Sequence, residues 1–446
     1  MYILGLIGLL LAIIAVITLS FRGLKMIIAA PLSALIIILA NQMNIFGALV
    51  GPENSYMSGL ANFLIKNFGI FLLGAILGQY MDRSGATKSI AASLLKRVGT
   101  ENPFKVLMAL TLIGAILTYG GISLFVVFFT LIPLARPIFK ELDINWSLVS
   151  LPLFFGAGTF TMSMLPGTPS IQNAVPTTVL GTNLMAAPLL GIIGFATMFI
   201  FGTWYMHFVL NRSIQRKENF YSYLENDESK IQAAKEEEEM TDHKKLPGFT
   251  LSIVPLVILI AVIFIFSKVE NIILIALALT ICLCAVLFNG YIDDHTGVLN
   301  DGATGAVGSA FGAASAVAFG AVLTTAPAFE SVKNFLLRMP GPALVSLGVI
   351  TALLSPVMGA TGAISTVITQ LGETYVSMGI PAEVVHRVAV IAGGALTFIP
   401  QSGAVITFNA VSGLNFKHGF IHACILSNVG FIISLITVIL AAQLLY

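Results

Sequence analysis

Charge is what this sequence has least of. Only 10% of its 446 residues are Asp, Glu, Lys or Arg, against about 25% in a soluble domain. Hydrophobic residues make up 57% of the chain and mean hydropathy is +0.95, so most of it cannot face water. A soluble enzyme, a nucleic-acid-binding protein and a disordered scaffold are excluded. At about 20 residues per span, the length gives room for roughly ten to fourteen crossings. The class is an all-α polytopic membrane protein.

Other shortages narrow the chemistry. The three cysteines, Cys282, Cys284 and Cys424, sit in apolar stretches and read as buried thiols rather than redox or metal groups. His418 and His422 could share a helix face, yet a metal site would need further ligands nearby, so neither a metal nor an organic cofactor is expected. The glycines 302, 305, 308 and 312 are followed by no Lys-Ser or Lys-Thr and read as close helix packing. No nucleophile elbow is present, and the chain is not read as an enzyme. Acidic residues are absent from the middle of every apolar segment, while Glu373, Glu383, His386 and Arg387 fall towards segment ends. A binding site in the interior is therefore expected to be lined by hydroxyls, amides and backbone dipoles, without an obvious buried charge.

What is present is a duplicated pattern of interrupted apolar segments. Plain spans lie near 2–19, 24–41, 62–81 and 184–210, then near 249–267, 271–289, 304–327 and 419–445. Basic residues Arg22 and Lys25 follow the first run instead of preceding it, which reads as a retained first helix with its N-terminus outside. Segments 104–138 and 342–376 are too long for one helix and carry glycine or proline in the middle. Segments 147–180 and 382–412 contain Pro166-Gly167-Thr168-Pro169 and Pro400-Gln401-Ser402-Gly403. Non-helical backbone at membrane depth survives only where protein or a water-filled cavity satisfies it. Paired interruptions in corresponding places point to a transporter site.

The halves align without a gap between 142–175 and 378–411, at an offset of 236, with identities that include Gly158/Gly394, Thr161/Thr397, Gly167/Gly403 and Asn173/Asn409. Two further blocks keep the same order. The expected organisation is a first repeat over 1–210 (hairpin 104–138, broken helix 147–180) and a second over 248–446 (hairpin 342–376, broken helix 382–412), with a solvated polar linker, 211–247, between them. Each repeat would hold three helices, a re-entrant hairpin, a broken helix and a closing helix, giving about ten crossings plus two hairpins. Five crossings per repeat invert the second copy, and both termini then lie outside. This arrangement puts 17 of the 22 lysines and arginines on the cytoplasmic side, as the positive-inside rule asks. Reading both hairpins as ordinary helix pairs gives fourteen spans and the same orientation elsewhere.

The candidate site gathers at the tips and breaks: Tyr119, Gly120, Gly121 and Ser123 in hairpin one, with Gly167, Thr168, Gln172 and Asn173 in its broken helix. Their counterparts are Thr361, Gly362 and Ser365, then Gln401, Ser402, Gly403 and Asn409. Glycine lets backbone approach a ligand, and helices restarting after a break offer free N–H groups and a positive dipole end. Such a site suits a small hydroxylated anion. A cation/proton antiporter would be expected to keep a mid-membrane acid. A passive channel is the alternative of a different class.

Thr118-Tyr119-Gly120-Gly121-Ile122-Ser123, Phe160-Thr161-Met162, and Leu165-Pro166-Gly167-Thr168-Pro169 with Gln172-Asn173 resemble the gluconate permease (GntP) family. The resemblance runs along the full chain. It implies membership of the larger ion transporter superfamily, proton-linked uptake of small hydroxy-carboxylates across the bacterial inner membrane, a homodimer, and elevator-like movement. Within the family the Tyr119-Gly120-Gly121 form looks closer to carriers of 3-hydroxybutyrate and short monocarboxylates than to those of gluconate. The missing mid-membrane carboxylate leaves two coupling ions open, a proton, or sodium held by carbonyl and Ser/Thr/Asn oxygens. No nucleic acid is expected as a partner.

Overall fold

The computed structural model describes residues 2–87, 89–90, 93, 102–119, 124–168, 170–224, 246–266, 269, 271–337 and 342–446. Among these, secondary structure is helical throughout. The first half comprises α1 (Tyr2–Phe21), α2 (Met26–Ala40), α3 (Tyr56–Arg83), α4 (Pro103–Tyr119), α5 (Leu124–Glu141), α6 (Ser150–Gly158), α7 (Ile171–Leu180) and α8 (Pro188–Gln215). The second comprises α9 (Phe249–Ile265), α10 (Ile272–Leu287), α11 (His295–Thr325), α12 (Ala343–Ser377), α13 (Ala382–Gly394), α14 (Gly403–Ser412) and α15 (Gly430–Leu445). Six described helical stretches are long and apolar enough to cross a membrane, among them α1, α3, α8, α11 and Phe416–Leu445. Large side chains such as Ile3, Leu10, Ile65, Ile200 and Leu444 stand exposed on them. Water would not tolerate so broad an apolar surface, whereas lipid does, and the chain is a multi-pass membrane protein.

The sixth stretch, α12, is not a straight rod. Its 35 residues are interrupted at Gly359, whose φ of 71° and ψ of 164° are non-helical. The Ser346 and Tyr375 hydroxyls lie 3.0 Å apart, although a straight helix would separate them by about 43 Å. Two limbs therefore fold back on each other about the Pro356–Gly359 turn. In the first half α4 and α5 stand in the corresponding place and pack on each other. Their connecting residues 120–123 lie outside the described residues.

Packing pairs match between halves. α1 lies on α2 as α9 lies on α10; α2 packs on α11 as α10 packs on α3; and α3 meets α11 directly. α7 packs on α12 as α14 packs on α5, and α8 packs along α15. α7 and α14 also end alike, on Gly181 (φ 65°) and Gly413 (φ 71°), left-handed positions that favour glycine. At the α3–α11 contact a Cβ on Gly302 would sit 2.7 Å from the Ile76 Cα, and where α11 packs on α14 one on Gly312 would meet Ile406. Close packing thus explains Gly302 and Gly312. Gly305 and Gly308 have nothing within 4 Å of a Cβ and are not packing glycines.

Two expectations are corrected here. Cys282 is exposed, and only Cys284 is fully buried. The stretch 211–247 does not begin as a solvated linker, because α8 continues to Gln215 and the chain then docks. The ring of Phe220 is buried against Trp146, with centroids 5.9 Å apart, and the Arg136 guanidinium lies over both rings. Glu218 accepts from Asn145 at 2.9 Å and Ser213 at 2.7 Å. One aromatic ring outweighed the polar composition around it. The rest of that stretch, 225–245, including the glutamate run, lies outside the described residues.

Candidate functional site

The second break begins earlier than its Pro-Gln-Ser-Gly motif. α13 stops at Gly394, Ala395 is extended and Leu396 takes φ of 60°. Asn428, in a π-turn just before α15, pins the loop on both sides: its Nδ2 donates to the Phe398 carbonyl at 2.7 Å and its Oδ1 accepts from the Phe398 N–H at 3.2 Å. The chain then restarts as α14 at Gly403. Ser402 is the N-cap residue, yet its side chain accepts no bond from the helix. The first N–H groups of a helix have no partner within it, so this positive dipole end is left open.

That end faces a cavity of about 380 Å³. Thr397, Gln401, Ser402 and Gly403 line it from the break, and Ser355, Pro356 and Gly359 from the α12 turn. The opposite wall is α11, at Phe319, Gly320 and Thr324, with Ile13 from α1. None of the lining residues is ionisable. Three hydroxyls already donate to their own helices: Ser355 to the Thr351 carbonyl at 2.8 Å, Thr397 to that of Gly393 at 2.6 Å, Thr324 to that of Gly320 at 3.0 Å. Gln401 differs, because its Oε1 is buried without a hydrogen-bond partner. Leaving such an acceptor bare costs about 1–3 kcal/mol, a cost that a donor on a bound molecule would remove. The limb after Gly359 also starts here and adds a second N-terminal end. The arrangement can accept a small anion bearing a hydroxyl.

The first break is built to be full. Tyr119 Oη donates to the Pro166 carbonyl at 3.0 Å, tying the end of α4 to the break. Gly167 takes φ of 80° and donates its N–H to the Leu184 carbonyl at 3.0 Å. Thr168 Oγ1 donates to the Thr161 carbonyl at 2.6 Å, and Thr118 to the Thr161 hydroxyl at 2.8 Å. Ser170 caps α7 by accepting from the Asn173 N–H at 3.2 Å. The Asn173 amide donates to the carbonyls of Thr168 at 3.0 Å and Leu184 at 2.9 Å. Its Oδ1 accepts from the Arg387 guanidinium at 3.1 Å and lies 3.1 Å from His386 Nε2.

Arg387 corrects the expectation of a site without an obvious buried charge. It and His386 are fully buried in α13. The sequence signal was an isolated arginine inside an apolar helical run, which nearness to a segment end obscured.

The expected residues therefore divide. Tyr119, Gly167, Thr168 and Asn173 meet at break one, and half-buried Gln172 follows on α7. Gln401, Ser402 and Gly403 meet the α12 turn at the cavity. Thr361, Gly362 and Ser365 fall in the second limb beyond the turn, outside the cavity lining. Asn409 also lies outside it, buried with neither side-chain polar atom bonded. Gly120, Gly121 and Ser123, and Pro169 of the first break, lie outside the described residues.

Comparisons with known proteins identify the family. The model of the GntP family permeases matches residues 4–283. The Bacillus subtilis (strain 168) protein named uncharacterized transporter YxjC is 30% identical over 437 residues, covering 90% of this chain and 91% of that protein. The gluconate permease of Bacillus licheniformis is 35% identical over 128 residues, covering 28% of this chain and 26% of that protein. The chain belongs to the GntP permease family and is a membrane transporter.

Proposed function

We propose that this GntP family permease is a secondary active symporter for a small hydroxy-monocarboxylate, such as 3-hydroxybutyrate or gluconate, and that the second-half cavity is its substrate site. One observation carries the reading: the uncapped start of α14 and the unpartnered Gln401 Oε1 face the same 380 Å³ space. The carboxylate would lie against the N–H groups of α14 and of the limb after Gly359. The substrate hydroxyl would donate to Gln401. Desolvating a carboxylate costs several kcal/mol, and convergent donors offset it. Tyr119, Gly120, Gly121, Ser123 and the break-one residues would form the other side of the transport path.

The matching contacts of the two halves support an inverted-repeat architecture, and the folded-back α12 supports a re-entrant hairpin. An elevator-type movement, a homodimer, the bacterial inner membrane and proton coupling, with sodium as the alternative ion, complete the proposal by resemblance to the family. The experiment is a thermal-shift titration of purified protein with 3-hydroxybutyrate, lactate, gluconate and butyrate. A stabilising shift with a hydroxy-acid and a smaller one with butyrate is expected. Equal shifts with butyrate and 3-hydroxybutyrate would remove the hydroxyl from recognition.

A further inference from the structure

Arg387 is buried, and none of its partners among the described residues is a carboxylate. Its guanidinium donates to four oxygens: Nε and Nη2 to the Ala186 carbonyl at 3.0 and 2.7 Å, Nη2 to that of Leu184 at 3.3 Å, and Nη1 to that of Ser163 and to Asn173 Oδ1, both at 3.1 Å. Glu383, one turn earlier, is exposed and accepts instead from the Ala187 N–H at 3.4 Å. His386 lies alongside. Asn173 Oδ1 can only accept, so His386 Nε2 is the donor to it and Nδ1 faces the Thr182 hydroxyl at 2.7 Å. Arg387, whose guanidinium stays protonated in proteins, is the fixed charge of the cluster.

Three of the four oxygens are main-chain carbonyls, from the turn at Phe160–Ser163 and the loop between α7 and α8. Carbonyls released where a transmembrane helix is interrupted are what transporters use to coordinate a coupling cation. Here the cage is closed around a cation that belongs to the chain. The duplication marks the contrast. At the offset of 236 the counterpart of Arg387 is Leu151 and that of His386 is Ser150, while the counterpart of Asn173 is Asn409, whose amide is unbonded. The second break has the asparagine, and at the position equivalent to Arg387 it is met by Leu151.

We propose that Arg387 is the resident cation of the first break, a positioning residue whose tethered guanidinium occupies a carbonyl cage that would otherwise take up a mobile monovalent cation. A coupling cation is therefore excluded from this cage. Opening the cage should create a cation site that the wild-type protein lacks.

The test reads stability and needs no substrate, so it stands or falls apart from the transport reading. Purified wild-type protein and the variants Arg387→Ala, Arg387→Lys and Arg387→Gln are heated in choline chloride, then with millimolar guanidinium, sodium or lithium added. Arg387→Ala is expected to melt several degrees below wild type in choline and to regain much of that loss with guanidinium or a small alkali cation. Wild type should not respond comparably. Arg387→Lys should keep more stability than the uncharged Arg387→Gln. If Arg387→Ala cannot be purified, the order of Lys above Gln decides the matter. Equal stability of Lys and Gln, or a loss in Arg387→Ala that no small cation reduces more than choline does, overturns the proposal.

Discussion

Ser346 and Tyr375, 29 positions apart in one apolar segment, share a hydrogen bond of 3.0 Å between buried hydroxyls. That contact holds the two limbs of α12 side by side and antiparallel about the turn at Gly359. Ser346→Ala and Tyr375→Phe should each cost about 1 kcal/mol. The double variant should cost little more than either single change, because the bond is shared. Thermal melts of the four proteins check this; strict additivity would place the hydroxyls apart.

The turn rests on Gly359. Nothing lies within 4 Å of a Cβ built there, so Gly359→Ala meets no steric obstacle and pays only for its backbone. With φ of 71° and ψ of 164°, that cost should be about 1–3 kcal/mol, read as a lower melting temperature.

The two repeat-related asparagines should respond with opposite sign. Asn173→Leu strips partners from Arg387 and from the Thr168 and Leu184 carbonyls and should destabilise by about 3 kcal/mol or more. Asn409→Leu removes two unbonded buried atoms and should be neutral or stabilising. Melting temperatures in one detergent decide it.

Gln401→Leu keeps the bulk of the cavity wall and removes the free acceptor. Its KM for a hydroxy-acid should rise about tenfold, the equivalent of 1.4 kcal/mol, and its preference for the hydroxylated acid over the plain acid should shrink. Initial uptake rates for the two acids measure both.

Phe220→Ala should loosen the stretch after α8. The ring is buried against Trp146, and losing such a group costs about 3–5 kcal/mol. Limited proteolysis should then cut near 216–224 sooner than in wild type.

Much of this molecule is legible in its sequence because lipid imposes a simple code. Apolar runs mark the spans, and glycine and proline within them point to the breaks at Pro166-Gly167-Thr168-Pro169 and Pro400-Gln401-Ser402-Gly403, although the second opens earlier, at Ala395. An offset of 236 pairs Asn173 with Asn409. What stayed hidden depends on long-range partners. Asn173 and Asn409 look equivalent in sequence, yet one faces His386 and Arg387 while their counterparts are Ser150 and Leu151. Glycine density from Gly359 to Gly362 places Thr361 and Ser365 at the tip, whereas within α12 the non-helical backbone is at Gly359. Polar composition concealed Phe220, whose partner Trp146 lies far away in the chain.

In the proposed function the second-half cavity binds a small hydroxy-monocarboxylate for concentrative transport. Uptake of radiolabelled 3-hydroxybutyrate into proteoliposomes, with a proton or a sodium gradient imposed separately, compares wild type with Gln401→Leu. The expected result is accumulation above equilibrium under a gradient, with the proton as the expected driver, competition by related hydroxy-acids, and a weakened response in Gln401→Leu. Equilibration without accumulation under either gradient, or uptake unchanged by Gln401→Leu, would contradict it.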